Sequence, residues 1–265
     1  MSSFLSLQLL AILQGLTEFL PVSSSGHLAL LKQGLGLEFS GEGPLLELLL
    51  HGGTLGAVLV FYRKRIGQLL LGLCRGEKAA WRYAGLVVLC CLPAGIVYLL
   101  AHDFLEEAFQ APRVIGGLLL LTGLVLLSLR WVPSSPHRQE GAPTWKQALG
   151  IGLAQACAIL PGLSRSGSTY TAARWLKVSS QEAFDFSFLV SVPLILASIL
   201  LKAKDILTLT TTSGESPAAF LTATLLSALV GYGALALLAK LRFLGKIWIF
   251  APYCLLLGTL TLLLA

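Results

Sequence analysis

The chain alternates between long apolar runs and short polar breaks, and this pattern predicts helices that cross a membrane. A helix needs about 20 predominantly apolar residues to cross a bilayer. Several runs approach that length and are bounded by charged or polar loops. They cover residues 47–62, 83–101, 113–131, 184–201, 217–239 and 247–264. The pattern therefore predicts six transmembrane helices.

Two further apolar runs are interrupted near their middle by proline, serine and glycine. The first covers residues 4–36 and breaks after Pro21, and the second covers residues 144–176 and breaks after Pro161. Proline inside a helix removes a backbone hydrogen bond and breaks the run. Each run is therefore predicted to form two half-helices joined by a turn, as a re-entrant hairpin. We call residues 14–27 the first island and residues 160–169 the second island.

The two halves of the chain share one order of elements, a broken helix followed by three spans. The halves cover about 1–132 and 144–265, and a short linker around 133–138 joins them. A hairpin does not change sides and three spans do, so the second half is expected to be inverted. We predict an all-α integral membrane protein with one domain, residues 1–265, containing six transmembrane helices and two re-entrant hairpins in an inverted-topology repeat. Such repeats place their site near the bilayer midplane, where broken helices meet.

Composition agrees with a polytopic membrane protein. Apolar residues make up 55% of the chain and charged residues 12%, and the mean hydropathy is +0.81, outside the usual range of soluble domains. The net charge of +6 does not indicate a nucleic-acid partner, because the basic residues lie in short loops where they orient spans. The most basic loop, 63–82, is expected to face the cytoplasm. The five cysteines show no metal-ligand spacing.

Both islands carry groups that bind phosphate. Each resuming half-helix would offer free backbone N–H groups and the positive end of its dipole, and Arg165 would add a planar guanidinium suited to phosphate oxygens. An arginine inside the membrane is costly, which favours a function, although a salt bridge with Glu18 is an alternative. Serine and glycine also serve close helix packing. The phosphate-binding candidates are Ser23, Ser24, Ser25, Gly26, Ser164, Ser166, Gly167, Ser168 and Thr169.

Three side chains of the first island are candidates for catalysis or metal binding. Gln14 and Glu18 are four residues apart and face one side of a helix, where their oxygens suit Mg²⁺ or Ca²⁺; a hydrogen-bonded polar stripe is the alternative. His27 follows the serine-glycine turn and could serve as general acid, general base or nucleophile, or simply as a satisfied polar residue. His51 is less certain and is expected at most to line the pocket.

The two islands resemble the signature motifs of the bacterial undecaprenyl-diphosphate phosphatases of the bacitracin-resistance type. The motifs are Gln-Gly-Leu-Thr-Glu-Phe-Leu-Pro-Val-Ser-Ser-Ser-Gly-His at 14–27 and Pro-Gly-Leu-Ser-Arg-Ser-Gly-Ser-Thr at 161–169. The resemblance implies an enzyme of the bacterial inner membrane that converts undecaprenyl diphosphate to undecaprenyl phosphate for peptidoglycan synthesis, depends on a divalent cation and opens to the extracytoplasmic side. It implies catalytic roles for Glu18, Ser24, His27 and Arg165. Gln14 stands where many members have glutamate.

Several alternatives remain open at this stage. His27 or Ser24 could attack phosphorus directly, or His27 and Glu18 could activate water. Inverted repeats with broken helices are also typical of secondary transporters, so a flippase for a polyprenyl phosphate or another anionic lipid is the rival function. The expected ligand is a polyprenyl diphosphate whose tail lies along the apolar spans among membrane lipids. The oligomeric state is open, with a homodimer among the alternatives.

Overall fold

The computed structural model describes residues 3–35, 43–132, 141–209 and 216–265, and these residues form helices without any β-strand. Short 3₁₀ helices at Ser128–Trp131 and Ile247–Phe250 accompany the α-helices. In chain order the α-helices are α1 (Ser3–Phe19), α2 (Ser24–Leu35), α3 (Gly43–Phe61), α4 (Arg63–Cys74), α5 (Lys78–Leu100), α6 (His102–Gln110), α7 (Pro112–Leu127), α8 (Trp145–Cys157), α9 (Arg165–Trp175), α10 (Ser180–Leu209), α11 (Pro217–Phe243) and α12 (Ala251–Leu264). The all-helical prediction is confirmed.

Helices long and apolar enough to cross a membrane occur at five of the six predicted positions. They are Lys78–Leu100, Pro112–Trp131, Ser180–Leu200, Pro217–Phe243 and Ile247–Leu264. The sixth predicted span, 47–62, falls in α3, whose apolar section Leu48–Phe61 is shorter than 18 residues. The chain is therefore a multi-pass membrane protein.

The half-helices of both predicted hairpins are present, but the second arm of each begins three residues earlier than expected. Helix α2 begins at Ser24 rather than at residue 27, and α9 begins at Arg165 rather than at residue 168. Both starts are capped, because Ser23 Oγ accepts the N–H of Gly26 and Ser164 Oγ accepts the N–H of Gly167. The serine-glycine residues therefore form the first helical turn instead of a turn before it.

Two segments that the sequence indicated as loops are helical. The basic loop 63–82 contains α4, and the acidic segment after α5 forms α6. Both helices have an apolar side that packs on the protein: Ile66 and Leu69 of α4 lie against the main core, while Leu105 and Ala108 of α6 are buried. Their charged residues concealed this periodicity. The linker around 133–138 lies outside the described residues.

The packing exchanges elements between the two halves of the chain. Helix α1 packs against α11, and α8, its counterpart in the second half, packs against α5. Helix α3 contacts α10, and α7 contacts α12. At the last pair, a Cβ on Gly258 would lie 2.7 Å from the carbonyl oxygen of Gly116, so the small residues permit close approach. This packing brings the break between α1 and α2 close to the break between α8 and α9.

A cluster of charged side chains forms ion pairs between α4 and the start of α10. Arg65 donates to Glu182 at 2.6 Å and to Asp185 at 2.5 Å, while the hydroxyls of Tyr83 and Tyr62 donate to the same two carboxylates at 2.9 and 3.0 Å. Burial alone would lower the pKa of the Arg65 guanidinium, but Tyr83 and Glu182 raise it above its ordinary value. Arg65 therefore stays charged and offsets one of the two negative charges of Glu182 and Asp185.

Candidate active site

The two islands touch where Ser23 and Gly26 meet Gly162. Ser23 Oγ accepts the N–H of Gly162 at 3.1 Å, and a Cβ on Gly26 would lie 3.0 Å from the Cα of Gly162. Gly162 itself has φ of +100°, and a Cβ there would lie 2.5 Å from the carbonyl oxygen of Ile115. Only glycine fits both the dihedral angle and the space. The predicted meeting of the two islands is therefore confirmed.

Helices outside the hairpins hold the islands in place. Thr122 of α7 donates its hydroxyl to the Gly162 carbonyl at 2.8 Å and accepts the N–H of Ser164 at 3.0 Å. Cys254 of α12 donates its thiol to the carbonyl of Pro21 at 3.7 Å. Ser23 adopts φ of +70°, a conformation that is costly for a residue with a Cβ and that persists only where the surroundings enforce it. The α7 and α12 pair thus fixes the junction of both breaks.

The carboxylate of Glu18 is the centre of the polar groups at this junction. Arg165 donates to Oε1, and Ser24 donates its hydroxyl to Oε2 at 2.7 Å. His51 Nε2 lies 3.8 Å from Oε2. The side chains of Glu18 and Arg165 are 5% and 20% exposed, so the pair is withdrawn from solvent. Glu18 and Arg165 therefore form the salt bridge foreseen as an alternative, and that bridge joins the two islands.

Gln14 supplies an oxygen that has no partner. Its Nε2 donates to Glu18 Oε2 at 3.1 Å, whereas its Oε1 is buried and accepts no hydrogen bond within the described part of the chain. A buried acceptor without a donor is costly unless a cation or water satisfies it. An amide oxygen beside a carboxylate matches the hard ligands of Mg²⁺ and Ca²⁺. The residues present therefore fit a divalent cation, although no cluster of three or more His, Cys, Asp or Glu side chains suits a metal among the described residues.

His27 belongs to a separate pair of contacts. Its Nδ1 lies 2.7 Å from the carbonyl oxygen of Ser23, and its Nε2 lies 2.6 Å from the hydroxyl of Tyr253 on α12. The two rings are stacked with centroids 5.6 Å apart. Within the described residues, His27 makes no hydrogen bond to Ser24 or Glu18. The fold thus gives the first island two contact groups, one around Glu18 and one around His27.

The remaining phosphate-binding candidates make contacts within the islands. Ser25 Oγ lies 3.3 Å from Ser23 Oγ, and Ser166 Oγ lies 3.3 Å from Ser164 Oγ. Thr169 is fully buried and donates its hydroxyl to the Arg165 carbonyl at 2.8 Å. Gly167 and Ser168 lie in the first turn of α9 and are buried. Phosphate binding by these residues stays a prediction.

Comparison with known proteins identifies the family. Residues 7–260 match the family described as "Bacitracin resistance protein BacA". The chain belongs to this family. It is similar to proteins named "Undecaprenyl-diphosphatase" from Desulfatibacillum aliphaticivorans, at 38% identity over 98% of both chains, and from Nitrosococcus oceani, at 38% identity over 97% of both chains. A protein of the same name from Salinibacter ruber is 33% identical over 96% of both chains.

In this member of the bacitracin-resistance family, two residues lie near the site although the sequence indicates this weakly or not at all. His51 was expected at most to line the pocket, yet it lies beside Glu18; its spacing from Glu47 was the only available sign. Tyr253 lies in the last apolar run, 226 residues from His27. An aromatic residue in such a run is typical of lipid contact, so only the three-dimensional packing reveals this pair.

Proposed function

We propose that the chain is a membrane phosphatase that hydrolyses undecaprenyl diphosphate to undecaprenyl phosphate and inorganic phosphate. The product is the lipid carrier of peptidoglycan precursors, so the reaction returns the carrier to use. The relatives named undecaprenyl-diphosphatase match nearly the full length of the chain, and the chain belongs to their family.

The contact of Glu18 with both Ser24 and Arg165 carries the proposal. It combines an anion-binding group, a carboxylate and a hydroxyl nucleophile at one junction. Phosphoryl transfer asks a protein mainly for positioning and charge stabilisation. One N–H group of Arg165 donates to Glu18. Within the described residues, its other N–H groups make no hydrogen bond. Those groups are available to the terminal phosphate.

Among the three nucleophiles considered, the geometry favours Ser24. Its hydroxyl is already donated to Glu18 Oε2 at 2.7 Å, which satisfies the usual geometric test for a nucleophile and its base. Ser24 Oγ bonds to the terminal phosphorus as its proton moves to Glu18. The bond from phosphorus to the bridging oxygen breaks, and the electron pair stays on the departing lipid phosphate. Arg165 stabilises the charge that develops on the transferred group.

Gln14 and Glu18 would hold a divalent cation, Mg²⁺ or Ca²⁺. When bound, the cation would neutralise phosphate charge and help orient the diphosphate. The support comes from the unpartnered Oε1 of Gln14. One carboxylate with one amide makes a weaker ligand set than two carboxylates, so substrate phosphate oxygens would complete the coordination.

The finer topology that we propose has six spans and two re-entrant hairpins in an inverted repeat, with α3 as the sixth span. The reciprocal packing of α1 on α11 and α8 on α5 is the pattern that such a repeat would give. Exposed tryptophans Trp131 and Trp145 next to basic residues suit a membrane interface. We place these basic ends in the cytoplasm and the site toward the extracytoplasmic side of the bacterial inner membrane.

Release of inorganic phosphate from a polyprenyl diphosphate by purified protein in detergent tests the proposed function. We expect release with Mg²⁺ or Ca²⁺, loss with a chelator, and loss in Glu18→Gln. Detergent micelles offer no second compartment, so transport cannot produce the signal. No release with either metal would overturn the proposal and favour the lipid flippase, which the exchanged packing of the two halves also suits.

A further inference from the structure

The hydrogen bonds of His27 determine which ring nitrogen is basic. A carbonyl oxygen only accepts, so the 2.7 Å contact with the Ser23 carbonyl requires a proton on Nδ1. In the neutral imidazole Nε2 is then the acceptor. The hydroxyl of Tyr253, 2.6 Å away, must donate its proton to this nitrogen. Tyr253 therefore covers the lone pair with which His27 would attack phosphorus or accept a proton.

The position of Tyr253 is fixed by the packing of its helix. Its neighbour Cys254 is fully buried against the turn of the first island. Helix α12 also packs closely on α7, where a Cβ on Gly123 would lie 2.6 Å from Leu255 Cγ. The stacked rings add a second contact that resists rotation of His27. The packing of α12 therefore holds Tyr253 in place against His27.

Exposure distinguishes the two members of the pair. His27 is 8% exposed, whereas Tyr253 is 46% exposed, so a molecule that approaches the pair from outside meets the tyrosine before the imidazole. A tyrosine hydroxyl both donates and accepts hydrogen bonds, which allows it to take one proton while it gives another. His27 and Ser24 are three residues apart on α2 and so lie on the same side of that helix.

We propose that Tyr253 is a catalytic residue that relays a proton from the attacking water to His27 during hydrolysis of phosphorylated Ser24. The proposal rests on the proposed function and on Ser24 as nucleophile. A water oxygen bonds to phosphorus while one of its protons passes to the Tyr253 oxygen, and the Tyr253 proton passes to His27 Nε2. The bond from phosphorus to Ser24 Oγ breaks, and that oxygen recovers the proton held by Glu18. Inorganic phosphate leaves, and the imidazolium then loses its proton to solvent.

Tyr253→Phe tests the relay because it keeps the ring and the stacking on His27 and removes only the hydroxyl. We expect kcat to fall about 100-fold, the lower end of the usual contribution of a proton-transfer group. KM should fall with kcat and kcat/KM should change little, because only the step after phosphorylation of Ser24 is slowed. Rapid quenching should show a burst of lipid phosphate and label accumulating on Ser24. Tyr232→Phe is the matched control, because Tyr232 also lies in a span and its ring contacts Phe61, away from His27.

Chemical modification gives a readout that does not depend on turnover. Diethyl pyrocarbonate acylates an uncovered imidazole nitrogen, so peptide mapping should show faster modification of His27 in Tyr253→Phe than in wild type. Wild-type kcat in Tyr253→Phe, or a loss of kcat without label on Ser24, would overturn the relay. A label on His27 would show direct attack by the imidazole and would also overturn it. Absence of phosphate release by the wild type would instead refute the proposed function itself.

Discussion

Arg165→Ala removes the only positive side chain that donates to Glu18 in the described residues and leaves a buried carboxylate with neutral donors. Breaking a buried ion pair from one side costs about 3–5 kcal/mol. Because Arg165 is 20% exposed, we expect the lower end, about 3 kcal/mol of the free energy of unfolding. Loss of the guanidinium also removes a group that would stabilise the developing negative charge, and this separate effect should slow phosphate release by at least about 100-fold.

A double-mutant cycle separates the stability effect from the catalytic one. Glu18→Gln added to Arg165→Ala removes the unpaired charge, so the double variant should unfold at a higher temperature than Arg165→Ala alone. Turnover should not recover, because both proposed catalytic groups are absent. Thermal unfolding and phosphate release would be measured for all four proteins in one detergent. Arg113→Ala is the control, since its guanidinium makes an exposed contact with the Ala265 carbonyl and surface changes stay within about 0.5 kcal/mol.

Two results would refute the shared-site reasoning. If the stability losses of the single variants add in the double variant, Glu18 and Arg165 are not energetically coupled. If Arg165→Ala hydrolyses substrate at a near-normal rate, the second island contributes nothing to the reaction. A similar loss in Glu18→Gln and Arg165→Ala, although 147 residues separate them, is the outcome that one common site requires.

Three further predictions follow from close contacts and buried groups. Gly162→Ala would place its Cβ 2.5 Å from the Ile115 carbonyl oxygen, so the second island would have to move by nearly 1 Å to relieve the contact. This displacement should lower kcat about 100-fold. A kcat within twofold of wild type would contradict this. Gln14→Ala should raise the Mg²⁺ concentration for half-maximal activity about tenfold, and an unchanged titration would exclude it as a ligand. Arg65→Ala should lower the unfolding temperature through a loss of about 1–2 kcal/mol, because its side chain is 34% exposed and solvent screens its ion pairs. An equal shift in the exposed Arg63→Ala would show that the cluster adds no stability.

The islands were predictable because a proline followed by serines and glycines interrupts an otherwise apolar run. Pro21 and Pro161 mark both breaks, and Arg165 signals a function because an arginine is costly inside a membrane. Five spans were predictable for the same reason, as uninterrupted apolar length. The starts of α2 at Ser24 and of α9 at Arg165 were not predictable from the sequence, because a serine before a glycine is equally typical of a turn and of a helix cap.

The missed features depend on contacts between distant parts of the chain. Helix α4 begins with charged residues and was interpreted as a loop, although Arg65 pairs with carboxylates on α10. Tyr253 has no polar neighbour in its own run to distinguish it from a lipid-facing aromatic residue. Its role becomes visible only when α12 is packed on the first island. Local pattern therefore identified the groups around Glu18, and tertiary packing added those around His27.

The exchange of packing partners also has a consequence for the time at which the site is completed. Synthesis proceeds at about 5–20 residues per second, so the 147 residues between Glu18 and Arg165 take roughly 7–30 s. During that interval the carboxylate of α1 has no arginine partner, and α1 has no α11 against which to pack. The His27 contact group is completed later still, because Tyr253 lies on α12, the last helix to be synthesised.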